Sequence, residues 1–239
     1  MILIVALIFF AALLQGAVGF GFALVAMPLL TLMLGSQSAA ALSALSAGTL
    51  SGMLLFQNRK AVHFGEASGL ILAAAAGVPV GVYALAHAPR QPLIIGLGLL
   101  IASFSLYSLM RPAAIELKDR RWRFLAGFLG GVLGGAYNTA GPPVVLYGAM
   151  RRWPPERFIA VAQAFFFPIS VMVASGHAIA GFWTREVLTL YALGLPGIIA
   201  ATFLGKRVAR RLSPAMLAKA VYGLCLVLGL VIVATNVGR

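Results

Sequence analysis

Six apolar segments of about 20 residues constrain this chain more than any other feature of its sequence. A helix that crosses the hydrocarbon core of a bilayer needs about 20 apolar residues, because each residue advances about 1.5 Å. Only 10% of the 239 residues are charged, whereas soluble domains have about 25%. The sequence therefore predicts an all-α polytopic membrane protein, with spans at 37–56, 66–86, 92–110, 156–176, 186–205 and 214–236.

Two further apolar stretches, 1–34 and 123–150, are too long for a single span, and both contain glycine and proline. Pro142 and Pro143 have no backbone N–H, so we expect a helix to end before them and a new one to begin at Pro143. The matching break in the first stretch is expected at Pro28, with an ordinary helix kink at this proline as the alternative. Each stretch is thus predicted to form a broken hairpin that enters the membrane and returns. A single tilted span over 1–34 is the alternative.

The distribution of basic residues predicts the orientation of the chain. Fifteen of the 18 lysine and arginine residues lie in or beside four loops, and positively charged loops stay in the cytoplasm. The three exceptions are Arg90, Arg185 and Arg239. With the four loops inside, both termini lie outside, and a cytoplasmic linker at 111–122 joins two halves, 1–110 and 123–239, of opposite orientation. The predicted architecture is an inverted repeat of two four-helix units, each a broken first hairpin plus three spans.

The two halves also share a glycine and proline pattern. A shift of 115 positions, with nine more for the last pair, superposes Gly16 on Gly131, Gly19 on Gly134, Pro28 on Pro143 and Gly81 on Gly205. Within the second half, Gly127, Gly131 and Gly135 recur every four residues. This spacing places them on one helix face, where small residues allow a neighbouring helix to approach closely.

The two breaks predict an anion site. A helix N-terminus has unpaired N–H groups and about half a positive charge, and it binds anions readily. The expected substrate-binding residues are Gln15, Gly19, Phe20, Gly21, Phe22, Pro28, Asn138, Thr139, Gly141, Pro142 and Pro143. Asn138 and Thr139 either cap the second short helix or line the site, and the two roles are compatible. Three further polar residues within spans, Ser43, Ser46 and Gln163, are expected to form interhelical hydrogen bonds.

The segments Gly16 to Pro28 and Gly131 to Pro143, with Gly-Val-Pro-Val-Gly at 77–81, resemble the TauE/SafE family over nearly the whole chain. The resemblance implies a small permease built from a duplicated four-helix unit. It also implies transport of sulfite, of organosulfonates such as sulfoacetate, or of other small organic anions.

Acidic residues are few and are predicted to avoid the membrane centre. Glu66, Glu116, Asp119, Glu156 and Glu186 all fall in loops or at span ends, whereas carboxylates within spans typically mark proton relays. The histidines, His63, His87 and His177, also lie near span ends, so we expect them in loops or at the membrane interface.

We therefore predict a permease that moves a small anion by alternating access of the two repeats, without a carboxylate relay. It is expected in the bacterial inner membrane, with the lipid bilayer and the anion as partners, without nucleic acid, metal or cofactor; the sequence also allows a homo-oligomer. One alternative is Na⁺-coupled uptake of a small organic anion, with unwound carbonyls as ligands. An intramembrane enzyme is disfavoured, because no nucleophile–base or metal-ligand motif occurs.

Overall fold

A computed structural model of the chain describes residues 1–59, 64–110, 116–211 and 214–237. Within these ranges the chain forms α1 (Ile2–Val18), α2 (Phe22–Leu34), α3 (Ser36–Asn58), α4 (Phe64–His87), α5 (Arg90–Met110), α6 (Trp122–Tyr137), α7 (Gly141–Met150), α8 (Pro155–Ile179), α9 (Arg185–Arg211) and α10 (Pro214–Asn236). Parts of the predicted loops, with Lys60, His63, Arg111 and Arg239, lie outside the described residues.

The six predicted spans are confirmed as helices. Among the described residues, α3, α4, α5, α8, α9 and α10 are long and apolar enough to cross a membrane. Each begins within two residues of its predicted start. The largest difference is at the end of α9, which continues from the predicted end at 205 to Arg211. Lysine and arginine form helices readily and are favoured at a helix C-terminus, so the helix extends past the apolar segment.

Both long apolar stretches are broken into two helices, as predicted. Residues 19–21 separate α1 from α2, and residues 138–140 separate α6 from α7. The first helix of each pair ends at a left-handed residue, Gly19 with φ 90° and Asn138 with φ 51°. In each case the N–H of this residue bonds the carbonyl four positions earlier, at 2.7 Å. Glycine and asparagine tolerate this conformation, so they end the helices.

The prediction that Pro28 starts the second helix is wrong, and the alternative, a proline within a continuous helix, is the one that the structure supports. α2 begins at Phe22, and Pro28 is buried in its interior. A proline inside a helix leaves the carbonyl four residues earlier without its usual donor. Here that carbonyl belongs to Leu24, and the Cys225 thiol lies 3.5 Å from it as a donor. The helix therefore continues through Pro28, and the glycines at 19 and 21 make the break.

The predicted shift of 115 between the halves is also wrong. The helix ends at Gly19 and Asn138, the starts of α2 and α7 at 22 and 141, and the starts of α3 and α8 at 36 and 155 all differ by 119. The two values differ by about one helical turn. Glycines recur every four residues in α6, so a shift by one turn still superposes glycine on glycine.

The helices of the two halves pack in corresponding pairs. α1 packs along α9 and α6 along α4, while α3 contacts α8 and α5 contacts α10. Small residues bring the backbones together: a Cβ on Gly205 would lie 2.6 Å from the Gly16 carbonyl carbon, and one on Gly135 would lie 3.0 Å from the Gly81 Cα. With the 119-residue shift, Gly16 corresponds to Gly135. The packing face predicted from Gly127, Gly131 and Gly135 is confirmed, because each contacts the backbone of α4.

Candidate functional site

The two breaks meet at one cavity with a volume of about 40 Å³. About 10–15 Å³ of such space is needed to hold one water molecule, so the cavity has room for about three waters or a compact ion. Six of the eleven predicted site residues line it: Gln15, Gly21, Phe22, Asn138, Thr139 and Gly141. The sequence thus identified parts of both breaks that the tertiary structure places around a common space.

The other five predicted residues do not line the cavity. Gly19 and Phe20 lie within the first break, where the Phe20 ring packs edge-on against Phe158 at 5.9 Å. Pro28 is six residues along α2 from its start. α7 begins at Gly141, two residues before the predicted start at Pro143, so Pro142 and Pro143 lie in its first turn, where a backbone N–H has no partner within the helix.

Nine lining residues were missed by the sequence reasoning. They are Ala23, Leu24, Ala47, Ser51, Gly134, Ala140, Phe166, Ile169 and Ser170. Only the two serines have polar side chains. A polar residue within an apolar span was the signal that could have found them, as it had selected Ser43 and Ser46.

Gln15 connects three elements at the first break. Its side chain is buried, its Nε2 donates to the Ser51 hydroxyl at 3.2 Å, and its Oε1 accepts the Phe22 N–H at 3.1 Å. The second bond satisfies the first N–H of α2, which has no partner within the helix. One amide therefore holds the end of α1, the start of α2 and the middle of α3 in register.

Asn138 and Thr139 do not cap α7, contrary to the first of their two expected roles. The residue before α7 is Ala140, and no side chain caps that helix. Asn138 instead ends α6, and its Nδ2 donates to the Ser43 hydroxyl at 2.9 Å, while the Thr139 hydroxyl donates to the Tyr137 carbonyl at 2.9 Å. Both nevertheless line the cavity, as the second expectation had it.

The expected hydrogen bonds of the other polar span residues are confirmed for two of three. Ser43 accepts the bond from Asn138, and the Gln163 amide donates to the Gly19 carbonyl, joining α8 to the first break. The hydroxyl of Ser46 is buried and has no hydrogen-bond partner in the described part of the chain. The expectation for Ser46 was therefore wrong.

The residues that line the cavity include those at the starts of two helices. The first N–H groups of a helix have no intrahelical partner. Gln15 satisfies that of Phe22, whereas Ala23 and Leu24, in the same first turn, line the cavity. In α7, Pro142 and Pro143 have no N–H, so Gly141 supplies the single donor of the first turn. Among the described residues, none of those that line the cavity is acidic or basic.

His177 is buried, contrary to the expectation of a loop or interface position. It lies in the last turn of α8 and its side chain is fully enclosed. Its Nε2 lies 2.9 Å from the Gly135 carbonyl, near the end of α6. The predicted span ended at 176, but α8 continues to Ile179, so this histidine packs between helices.

A second polar cluster surrounds Glu66 in the first turn of α4. Its carboxylate is buried and lies 3.6–3.8 Å from the guanidinium groups of Arg120, Arg151 and Arg157. The Tyr147 hydroxyl at the end of α7 donates to the same carboxylate at 3.2 Å. Glu66 lies at a helix end, as predicted, but the sequence did not indicate that it would be buried among arginines.

Within the part of the chain that the structure describes, six membrane-length helices and two interrupted helix pairs around a cavity define a multi-pass membrane protein. The chain belongs to the sulfite exporter TauE/SafE family, whose model matches residues 4–232. The probable sulfite/organosulfonate exporter TauE of Cupriavidus necator is 26% identical over 185 residues, which are 77% of this chain and 72% of that protein. No solved structure matches the chain. The match covers both halves and confirms the resemblance seen in the sequence.

Proposed function

We propose that this protein is a permease that moves sulfite, or an organosulfonate such as sulfoacetate, across the bacterial inner membrane, with the cavity at the two breaks as the binding site. One observation carries the proposal: two helix starts lie at a cavity with no acidic side chain among its described lining residues. Helix N-termini attract anions, and an adjacent carboxylate would repel them. The substrate class follows the name of the Cupriavidus relative.

The 119-residue spacing between the two breaks and between the starts of α3 and α8, together with the contacts between corresponding helices, supports an inverted repeat. Because α4 packs on α6 and α9 packs on α1, each packed unit combines helices from both halves. We therefore propose that alternating access moves α4, α6 and α7 against α1, α2 and α9. The contact between α3 and α8 lies beside the cavity. In this proposal it separates at one membrane face at a time, so the anion reaches each side of the membrane in turn.

The proposed orientation places both termini outside the cell. The cluster at Glu66 supports it, since arginines from the central linker and from the loop after α7 meet at one end of the molecule. A reporter fused to either terminus is expected to give a periplasmic signal. A cytoplasmic signal at either end would contradict this topology.

The proposed direction is export driven by the membrane potential. A monoanion that leaves an inside-negative cell gains about 2.3 kcal/mol per 100 mV. In proteoliposomes loaded with sulfite, we expect efflux to rise several-fold when an inside-negative potassium diffusion potential is imposed. Flux that ignores the potential would rule out the electrogenic mechanism. Absence of flux for both sulfite and sulfoacetate, against protein-free liposomes as control, would rule out the permease itself.

Asn138→Gly tests the contribution of one side chain to anion binding. Glycine keeps the left-handed backbone at φ 51° and removes only the amide. Because a hydrogen bond to a charged group contributes about 1.5–3 kcal/mol, we expect the half-saturating sulfite concentration to rise at least about tenfold. Asn138→Ala is expected to add a loss of stability, since alanine disfavours this conformation. Unchanged sulfite affinity in Asn138→Gly would exclude the amide from the site.

A further inference from the structure

The cavity is lined by matching positions from the two halves. The 119-residue spacing that relates the helix boundaries also relates five pairs of lining residues: Gln15 and Gly134, Gly21 and Ala140, Phe22 and Gly141, Ala47 and Phe166, and Ser51 and Ser170. Ten of the fifteen lining residues therefore belong to corresponding pairs. The cavity lies where the two repeats meet. Where the two residues of a corresponding pair differ, the difference indicates which side of the cavity holds a ligand.

The two serines have the same place in the fold but different surroundings. The Ser51 hydroxyl accepts a hydrogen bond from Gln15 at 3.2 Å. Ser170 is 7% exposed, and no hydrogen bond from the described residues reaches its hydroxyl. The two serines differ because the residue that corresponds to Gln15 is Gly134, which has no side chain that could form a hydrogen bond.

The space beside Gly134 adjoins Ser170. A Cβ built on Gly134 would lie 3.3 Å from the Ala140 Cβ, 3.6 Å from Ile169 and 3.7 Å from Val173, and the last two lie within one turn of Ser170 on α8. Gly134, Ala140, Ile169 and Ser170 all line the cavity, so residues of the second half form this side of it.

The Ser170 side chain is largely enclosed and its hydroxyl has no hydrogen-bond partner among the described residues, so a molecule within the cavity is the partner left to it. The cavity combines this hydroxyl with the starts of α2 and α7, and Phe22 and Phe166 also line it. Donors without a counter-charge match a compact oxyanion. A neutral ligand would leave the positive helix ends uncompensated.

We propose that the Ser170 hydroxyl donates a hydrogen bond to the bound oxyanion, on the side of the cavity where the second half has Gly134 in place of Gln15. This rests on the proposed function and adds to it a substrate-contacting residue and the side of the cavity where the anion is held. In the first half the Gln15 amide is the hydrogen-bond partner of Ser51. In the second half the anion is the hydrogen-bond partner of Ser170.

Ser170→Ala and Ser105→Ala form a matched pair of variants. Ser105 in α5 is also buried, its hydroxyl also has no partner in the described part of the chain, and it does not line the cavity. Removing an unpartnered hydroxyl is neutral or stabilising, so both variants are expected to keep the thermal midpoint of the ligand-free protein in detergent. Ser170→Cys keeps the branching of the side chain with a larger γ atom and offers only a weak donor.

Sulfite binding is then measured as the rise in thermal midpoint with sulfite concentration. We expect Ser170→Ala and Ser170→Cys to need ten- to a hundredfold more sulfite than the wild type for the same rise, and Ser105→Ala to match the wild type. If the thermal midpoint of Ser170→Ala rose with sulfite concentration as it does in the wild type, the hydroxyl would face water and the inference would be overturned. An absence of sulfite stabilisation in the wild type would also overturn it. Sulfite binding that depends on Ser170, without flux in proteoliposomes, would support the inference while refuting the permease.

Discussion

Replacing Glu66 by glutamine is expected to lower the free energy of unfolding by about 3 kcal/mol, because it leaves arginines without their counter-ion. The carboxylate side chain is 5% exposed. Its distances to the three guanidinium groups, 3.6–3.8 Å, exceed those of hydrogen bonds, so the arginines act on it mainly through charge. Removing one partner of a buried ion pair is strongly destabilising, since the remaining charge stays in a poorly solvated place.

The three arginines are not equal in this cluster. The Arg120 side chain is 70% exposed, so water screens its interaction and Arg120→Gln is expected to change stability by less than about 1 kcal/mol. The Arg151 side chain is 16% exposed, and its guanidinium also donates to the carbonyls of Leu117 and Lys118. Arg151→Gln is therefore expected to release the central linker as well as one of the ion pairs.

The measurement is the thermal midpoint of the purified protein in detergent. Glu116→Gln is the matched control, since Glu116 pairs with Arg152 at 3.3 Å but its side chain is 46% exposed. We expect little change in this variant, as for other surface ion pairs. If Glu66→Gln unfolded at the wild-type midpoint, the cluster would not stabilise the junction of α4, α7 and α8.

Replacing Gly131 by alanine is expected to destabilise the protein by about 3 kcal/mol, the upper part of the usual range for an overpacked site. The added Cβ would overlap the carbonyl oxygen of Ala74 and lie 2.8 Å from its Cα. Backbone atoms of a packed helix cannot move aside as a flexible side chain can. The substitution must therefore push α4 away from α6, and this contact also involves Gly127 and Gly135.

Gly223→Ala is the control for this prediction. Gly223 lies inside α10, and a Cβ there would have no neighbour within 4 Å. Alanine is a better helix former than glycine, so this variant is expected to be neutral or slightly stabilised. The readouts are the yield of monodisperse protein and its thermal midpoint. Wild-type behaviour of Gly131→Ala would contradict the proposal that α4 and α6 move as one unit.

Much of the fold followed from the sequence because its cause is local. An apolar segment long enough to cross a bilayer forms a helix whatever its neighbours, since no other regular conformation of one segment satisfies its backbone groups there. The starts of α3, α5 and α8 were therefore predicted to within two residues. The existence of both breaks was predictable for the same reason, from glycine and proline in stretches too long for one span.

The position of the first break could not be derived from residue type alone. Pro28 is an ordinary sign of a helix start, yet it lies within α2, where Cys225 from the last helix offers a donor to the carbonyl that the proline leaves free. The two residues are almost 200 positions apart in the chain. A local rule about proline is overridden when a distant residue supplies the missing hydrogen bond.

The sequence by itself determined a multi-pass helical membrane protein, the family to which it belongs and the two breaks that contribute to the site. Only the tertiary structure decided that these breaks share one cavity and that Ser51 and Ser170 complete it. It also decided that arginines from distant segments surround Glu66. The physical reason is that helix formation depends on neighbours within a few residues, whereas a cavity and a buried ion cluster depend on which helices pack together.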